Sequence, residues 1–582
     1  MSMAAPEVAL PSEDNRGRPA EPATAFDTDE HEKHVYNDIS GSNLDSSGHV
    51  LDTSSPVVYH YMTFETPLPH PSTPRSDSRA ADAPPQPDVK KYTSPFLWSK
   101  AQKNLTIGLS CLATLVTAYA AGSYGAASQQ MSEEWQVSEV AIYVGITTFC
   151  VGFAIAPMVL APFSEINGRY PVFVGAGILY IVCQICCAVA HSYPGMLVAR
   201  FFTGASSSVF STMVGGVVSD LYHAEERNTP MALFSGGALV GTGLGPMISG
   251  FIAQNTTWRW VFWLQVINCG VVMAAVVIFF KETRGSILLS RKARALNAWY
   301  EAREKAGFVG VEMPISPGSE KTEPQRVRWK VKSDEERESI SKMIGISLYR
   351  PFHLLFTEPV VFFFSLWVSF SWAVLYMTFG SIPLVFGRSH NFNIQQSGAV
   401  FAALSIGAIL STILSIYQDH LLTRYLAYSA KTPSKQSRFI KRLDLTCPEG
   451  RLYFSCIESV LLPIGLFWFG WSQFHSIPWI VPTMAIACAT MGIYSIYLAT
   501  FNYLADTYHR YASSALAAQS FCRNMLGGVF PLVTAAMFNH LTFQGAASLL
   551  GAIGALLTIV PWVLVFYGPR IRARSKFARE IM

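Results

Sequence analysis

The sequence predicts an all-α integral membrane protein with twelve helical spans in two sets of six, and three observations carry this expectation. Half of the 582 residues are apolar and only 14% are charged, against roughly a quarter charged in soluble domains. The charges crowd into the N-terminal region, two internal stretches and the C-terminal end, leaving long apolar runs between them. Lysine and arginine then favour alternate connections between those runs.

Residues 1–98 are rich in Pro, Ser, Asp and Glu and hold few apolar clusters. Such a composition cannot bury enough surface to fold alone, and the segment lacks the charged-then-apolar start of a secretory signal. It is read as a disordered tail. A membrane-crossing helix needs about 20 mainly apolar residues for a hydrocarbon core of about 30 Å. By that measure spans fall at 104–124, 140–162, 171–190, 195–220, 230–252, 259–281, 358–382, 396–417, 452–472, 478–502, 513–537 and 546–568. They must be helical, because lipid offers no partner to an open backbone N–H or C=O. Barrel strands would be shorter and would alternate in polarity. The organisation is then a tail (1–98), a first six-helix half (99–281), a central loop (282–357), a second half (358–568) with a loop at 418–451, and a C-terminal tail (569–582).

Excess Lys and Arg mark the cytosolic side of a membrane protein. With the N-terminus in the cytosol, the even-numbered connections carry Arg169, Arg227, the stretch Lys281–Arg350, the group Arg424–Arg451 and Arg510. The C-terminal tail adds Arg570, Arg572, Arg574 and Lys576, whereas the opposite connections hold little beyond Arg259 and Arg388. Both termini are expected in the cytosol, with the cell membrane as the location and a vacuolar or vesicular membrane as the alternative. An internal repeat supports the division into halves. The fourth span ends in Asp220-Leu-Tyr-His223 and the tenth in Asp506-Thr-Tyr-His509, and two six-helix halves related by a parallel repeat are a recurring transporter plan.

Several chemistries find no support. Cys183 and Cys186 form a C-x-x-C inside an apolar run, where thiols act as small apolar residues rather than redox or metal groups. No metal or cofactor is expected. No long basic stretch with interleaved aromatics points to nucleic acid. The chain lacks H-E-x-x-H, G-x-S-x-G and G-x-x-x-x-G-K-S sequences, which disfavours a membrane enzyme and an ATP-driven pump.

Specific motifs sharpen the reading. The connection after the second span, Ala161 to Tyr170, reads A-P-F-S-E-I-N-G-R-Y, with Glu165 three residues before Gly168 and Arg169. This resembles the signature loop of the major facilitator superfamily. The fourth span carries L-V-A-R-F-F-T-G, Leu197 to Gly204, similar to that superfamily's intramembrane Arg with Gly four residues on. The fifth carries G-T-G-L-G-P-M-I-S-G, Gly241 to Gly250, similar to its antiporter Gly-Pro motif. W-R-W-V-F-W (Trp258 to Trp263), E-T-R-G-S-I-L-L-S-R-K-A-R (Glu282 to Arg294), P-E-G-R-L (Pro448 to Leu452) and L-L-P-I-G-L-F-W-F-G-W (Leu461 to Trp471) extend the likeness. Over residues 95–570 the chain resembles the fungal twelve-span drug:proton antiporter family of multidrug, polyamine-type and toxin-efflux transporters. It departs from the pattern at Ala161, Glu165, Tyr170 and Ser249.

The resemblance implies a cytosolic gate of Glu165, Gly168, Arg169, Asp220 and Arg227, in which Glu165, Arg169 and Asp220 latch two helices. Replacing Arg169 with Ala is expected to impair transport. Gly237, Gly241, Gly245 and Ser249 recur every four residues, as do Ala399, Ala403, Gly407, Ser411 and Ser415 in the eighth span. Small residues at i and i+4 share a face and let helices approach closely. The resemblance implies that the fifth span packs on the eighth and slides past it, with Pro246 adding a bend and Gly250 closing the motif. Leu at Gly241 or Gly245 should block movement, and Ala should be mild. Arg200, Glu458 and Arg523 are charged residues inside spans, where each charge is costly and seeks a cavity or a partner, or snorkels from near an end. Glu458 is the candidate proton carrier. Tyr119, Tyr124, Trp372, Tyr376, Tyr494 and Tyr497 are candidates for an apolar cavity wall, with core packing or lipid contact as the competing readings. Asn255 begins a glycosylation sequon placed too near two spans for easy access.

The resemblance implies a proton-antiport exporter of small apolar or amphipathic molecules, such as secondary metabolites, toxins or drugs, with lipid and protons as its other partners and a monomer as the expected state. The alternative is a proton-coupled transporter of a polar nutrient such as a polyamine or sugar. The tail is expected to be dispensable: deleting residues 2–80 should leave transport intact.

Overall fold

The protein was analysed as a computed structural model, which describes residues 55–69, 84–223, 226–306, 308–314, 322–335, 340–431, 448–508, 511–575 and 577. The expected twelve spans are present. Six helices precede the central loop: Lys100–Ser123, Glu139–Asn167, Arg169–Ala188, Tyr193–Leu221, Asn228–Asn255 and Arg259–Phe279. The second six begin with Pro359–His390, Ile394–Gln418, Pro448–Trp471 and Ile480–Tyr508. The last apolar helical stretch, Ala512–Arg574, is 63 residues long. At 1.5 Å per residue that is roughly 95 Å, several times a hydrocarbon core. It breaks at Thr542, whose φ of 62° and ψ of 166° are not helical, so it makes two passes. The Thr542 hydroxyl accepts a hydrogen bond from the Gly545 N–H at 3.3 Å and caps the twelfth span.

Local sequence explains where spans start. Ser99, Ser138 and Ser192 each turn a side-chain oxygen onto the backbone N–H three residues on. This satisfies one of the donors that a helix N-terminus leaves open. Asn393 and Gln396 make a reciprocal pair that opens the eighth span. Pro157 and Pro162 lie within the second span and Pro246 within the fifth. The expected bend-forming proline is thus in place inside a continuous helix.

The tail and the central loop depart from expectation. Residues 58–61 form strand β1, and the loop contributes β2 (Val311–Pro314), β3 (Thr322–Gln325) and β4 (Val327–Lys330). β2 and β3 pair antiparallel, whereas β1 pairs parallel with β4, Val58 opposite Val327 and Tyr61 opposite Lys330. The loop helix Gly285–Lys305 presents Leu296, Trp299 and Tyr300 to this strand layer. Together with Met62 and Trp329 they make a second small core, separate from the membrane core. Farther along the tail, the carbonyl of Pro84 accepts the Trp299 indole N–H at 2.9 Å.

Residues 56–69 and 84–98 are therefore ordered against the rest of the chain, in correction of the disordered-tail expectation. Composition asks whether a segment can fold alone, and this one borrows its core from the loop. Residues 1–54 and 70–83 lie outside the described residues, as do 432–447 of the second loop, His509, Arg510 and Lys576.

Electrostatics tie the same unit together. Glu304 accepts hydrogen bonds from Arg326 at 2.9 Å and Arg328 at 2.8 Å. Burial opposes its charge, yet the bonds from Arg328 and Arg326 bring its carboxyl down to about 2.

Deleting residues 2–80 is consequently expected to do harm. It removes β1 and Met62 and uncovers Val327 and Trp329, which are 2% and 3% exposed. The purified deletion variant should be cut in its central loop several-fold faster by a protease than a chain lacking only residues 2–50. Equal cutting rates would show that β1 contributes nothing to the unit.

Candidate functional site

Charged residues gather on the face that bears the central loop. Gly168 has a φ of +102°, a backbone conformation suited to glycine, and a Cβ there would collide with the Glu282 carboxylate. That carboxylate accepts the backbone N–H groups of Arg169 at 2.9 Å, Tyr170 at 3.2 Å and Arg284 at 2.9 Å. It therefore caps the N-terminus of the third span, where helix donors and the helix dipole favour an anion. The Arg169 side chain then reaches Asp220 at 3.2 Å and the Ser164 hydroxyl at 2.9 Å. Asp220 also accepts from Arg284 at 3.4 Å.

Asp220 and Arg169 thus meet as expected, but Glu165 is not their third member. Among the described residues Glu165 has no hydrogen bond or ion pair, and it lines a cavity instead. One position on a helix decides this: Ser164, its neighbour, is the residue turned toward Arg169. Arg227 holds the end of the fourth span by donating to the carbonyls of Tyr222 at 3.0 Å and Ser219 at 3.4 Å.

The second half repeats the arrangement. Gly450-Arg451 matches Gly168-Arg169 in type, and Arg451 donates to Asp506 at 3.0 Å. The repeated Asp-x-Tyr-His sequence, described for its first three residues in the tenth span, therefore marks equivalent ion pairs. Glu282 and Arg284 went unassigned in the sequence reading. Their signal was the E-T-R-G sequence directly after an apolar span.

Inside the membrane core, Arg200 is fully buried. It donates to the carbonyls of Gly145 at 3.3 Å and Ala120 at 3.4 Å, and its guanidinium lies 4.5 Å from the Tyr124 ring and 4.6 Å from the Phe149 ring. Arg523 is 2% exposed and lies 4.4 Å from the Trp372 ring and 4.8 Å from Tyr497. Glu458, half-buried, accepts from the Gln418 amide at 2.6 Å and pairs with neither arginine.

Two openings face each other across the molecule. A cavity of about 610 Å³ opens on the loop face, bounded by the second, fourth, tenth and eleventh spans and reaching Ala154 and Arg523. A cleft of about 290 Å³ lies toward the other face and reaches Tyr143 and Pro531. Along both helices the residues between these limits form the partition. Thr147 donates to the Gly528 carbonyl at 2.7 Å, and Gly528 packs on Cys150.

Of the six aromatic candidates, none lines the larger cavity. All are buried: the Tyr119 hydroxyl bonds Ser249 at 3.2 Å and the Tyr494 hydroxyl bonds the Ala232 carbonyl at 3.1 Å. Tyr124 lies against Arg200, and Trp372 and Tyr497 lie against Arg523. Tyr376 packs beside Gly527. These aromatics serve the core, and the cavity wall includes Gln519, Ser520 and Asn502, which sequence reasoning missed, beside apolar residues such as Met158 and Phe501.

The glycine stripe is also reassigned. Gly241 and Gly245 press on the carbonyls of Leu115 and Tyr119 in the first span, and Gly237 approaches the Cys111 carbonyl. The eighth span instead meets Gly236, Gly243 and Gly250, through Thr412, Ser405 and Gly398. Gly407 of the eighth span faces Ala487 of the tenth. Asn255 is exposed at the last residue of the fifth helix and donates to the Phe251 carbonyl at 2.8 Å.

Twelve spans in two halves, a cavity on one face, a cleft on the other and a partition between them define a membrane transporter. The chain belongs to the Major Facilitator Superfamily, whose sequence pattern matches residues 110–531. It is 33% identical to the transporter paaT of Penicillium rubens over 490 residues, 83% of this chain and 82% of that one. It is 34% identical to the efflux pump atB of Aspergillus terreus, over 73% of this chain and 83% of that one. With the multidrug transporter mdrA of Aspergillus fumigatus it shares 31% identity, over 84% and 74%. Among solved structures, the xylose transporter XylE from E. coli is similar in fold, with a TM-score of 0.52 at 12% identity, covering 80% of this chain and 98% of that one.

Proposed function

We propose that the chain is a proton-driven exporter of small amphipathic organic molecules, such as secondary metabolites, toxins or drugs. It works as a monomer in the cell membrane with both termini in the cytosol. The observation that carries this reading is the pair of openings set against one partition at Thr147 and Gly528. A carrier that exposes its cargo to each side in turn needs such a partition to open and close. The distribution of Lys and Arg supports a cytosolic position for the larger cavity, the side from which an exporter loads. Its wall mixes apolar side chains such as Met158 and Phe501 with a few polar ones, the usual make-up of a small-molecule site. The relatives named as an efflux pump and a multidrug transporter favour the same direction. Two carboxylates are the candidate carriers of the driving proton: Glu165, which lines the cavity, and Glu458, which bonds Gln418.

The test uses the full chain in liposomes with an acid lumen and two permanently charged probes, naphthalene-1-sulfonate and N-methylquinolinium. In molecules whose loop face points outward, at least one probe should accumulate in the lumen, and a protonophore should abolish this. Glu458→Gln should make accumulation less dependent on the gradient. Movement of neither probe, or movement indifferent to the gradient in the unaltered protein, would overturn the reading.

A further inference from the structure

The deep end of the loop-face cavity contains an arginine with no anion. Arg523 is 2% exposed, and its Nε and Nη1 atoms have no hydrogen-bond partner. Four residues earlier, Gln519 is fully buried with both amide atoms unpartnered. Residues at i and i+4 share a helix face, and both line the cavity. Orphaned donors of this kind are costly in a low-dielectric interior, and a buried charge normally has a partner. No described carboxylate lies within ion-pair distance of Arg523.

The neighbouring rings explain how the guanidinium is held. The Trp372 and Tyr497 centroids are 5.2 Å apart and lie 4.4 Å and 4.8 Å from the Arg523 guanidinium carbon. Rings on opposite faces at those distances would be roughly 9 Å apart, so the two rings do not sandwich the guanidinium. Arg523 is also among the residues that line the cavity. Of the five arginines among its described lining residues, Arg169 and Arg284 share Asp220, which leaves Arg227 and Arg523 without a carboxylate partner among the described residues. Asp506 is already paired with Arg451. Glu165 stands eleven residues along the second span from the deep residue Ala154, roughly 16 Å nearer the mouth at 1.5 Å per residue.

We propose that Arg523 and Gln519 form the anchoring site for an organic carboxylate, so that the cargo is an amphipathic anion with an apolar body. The carboxylate takes the Arg523 edge in a two-point hydrogen bond, the geometry guanidinium favours, and the Gln519 amide supplies a further donor. The apolar body lies against Met158, Met231 and Phe501. The proposal names the cargo class of the exporter reading and rests on it.

Binding by the purified full chain in lipid nanodiscs tests it, using three probes of one shape: 1-naphthoate, 1-naphthamide and 1-naphthylmethylammonium. 1-Naphthoate should bind at least tenfold more tightly than the other two, and Arg523→Met should erase that preference. Arg523→Lys should keep part of it. Without probe, Arg523→Met should unfold at the same temperature as the unaltered protein or a higher one, because it removes a buried charge with no hydrogen bond. A structural arginine would give the opposite shift. Equal binding of 1-naphthoate and 1-naphthamide, an undiminished preference in Arg523→Met, or binding of none of the three would overturn the proposal. This measurement uses no gradient. Arg523-dependent 1-naphthoate binding without gradient-driven transport would sink the exporter reading alone. Gradient-driven transport without any preference for the anion in the binding assay would sink this proposal alone.

Discussion

Replacing Gly241 with leucine is expected to abolish transport and sharply reduce the yield of folded protein. A Cβ at this position would meet the backbone carbonyl of Leu115, with the Ala118 side chain at 3.1 Å behind it. A carbonyl in a facing helix cannot swing aside as a side chain can, so the first and fifth spans must separate. Overpacking of this kind costs about 1–3 kcal/mol or more, and the separation also loosens the neighbouring contact at Gly245, where a Cβ would lie 2.5 Å from the Tyr119 carbonyl. The earlier expectation that alanine is mild fails for the same reason, since its single Cβ already meets that carbonyl. Gly237 supplies the control: its nearest atom, the Cys111 carbonyl oxygen, would be 3.4 Å away. Gly237→Ala should therefore melt near the unaltered temperature, Gly241→Ala several degrees lower, and Gly241→Leu should yield little folded material. A separate outcome is expected at Gly243, which faces Leu404 and Ser405 of the eighth span. That contact joins the two halves, so Gly243→Leu should fold and fail to cycle. Normal transport and melting in Gly241→Leu would show that the first and fifth spans tolerate a wider spacing.

The twelve spans were legible because lipid imposes a length and excludes charge, and both constraints are written along the chain. The Arg169–Asp220 pair was legible through the family resemblance, whereas the repeat marked Asp506 as equivalent to Asp220 without naming Arg451 as its partner. The fifth span was harder to read. It has glycines at 236, 237, 241, 243, 245 and 250, which place small faces on two sides of one helix. A four-residue period selects one of those faces, and only the packing of the other helices says which neighbour it meets. Cavity aromatics failed for a related reason, since Tyr494 and Tyr497 are as apolar in a core as in a cavity wall. Gln519 was passed over because an amide in a long helix carries no charge to attract notice. Its spacing from Arg523 was the available signal. The docking of residues 58–62 was invisible to composition, because the apolar partners Leu296, Trp299 and Trp329 lie more than two hundred residues away.

Arg200→Ala is expected to abolish transport, and the structure changes the reason. A charge inside a span seeks a partner, and no carboxylate bonds Arg200 among the described residues. Arg200 touches two backbone carbonyls and two ring faces instead. The carbonyls belong to different helices, Ala120 in the first span and Gly145 in the second, while Arg200 itself is in the fourth. One side chain thus fastens three spans of the first half at a level where lipid-facing packing alone would let them slide. The second and fourth spans also touch backbone to backbone at Gly204, where any Cβ would strike the Phe149 carbonyl. Alternating access moves a half as a unit, so loosening this junction should dissipate the motion. Lysine should not substitute, because a compact ammonium cannot span two separated carbonyls as a planar fork does. Methionine separates packing from charge. It fills much of the space and removes a buried cation, whose loss need not destabilise the fold. Arg200→Met should therefore melt within a few degrees of the unaltered protein yet transport at least tenfold more slowly. Full transport by Arg200→Met in liposomes would reduce Arg200 to a space-filling residue.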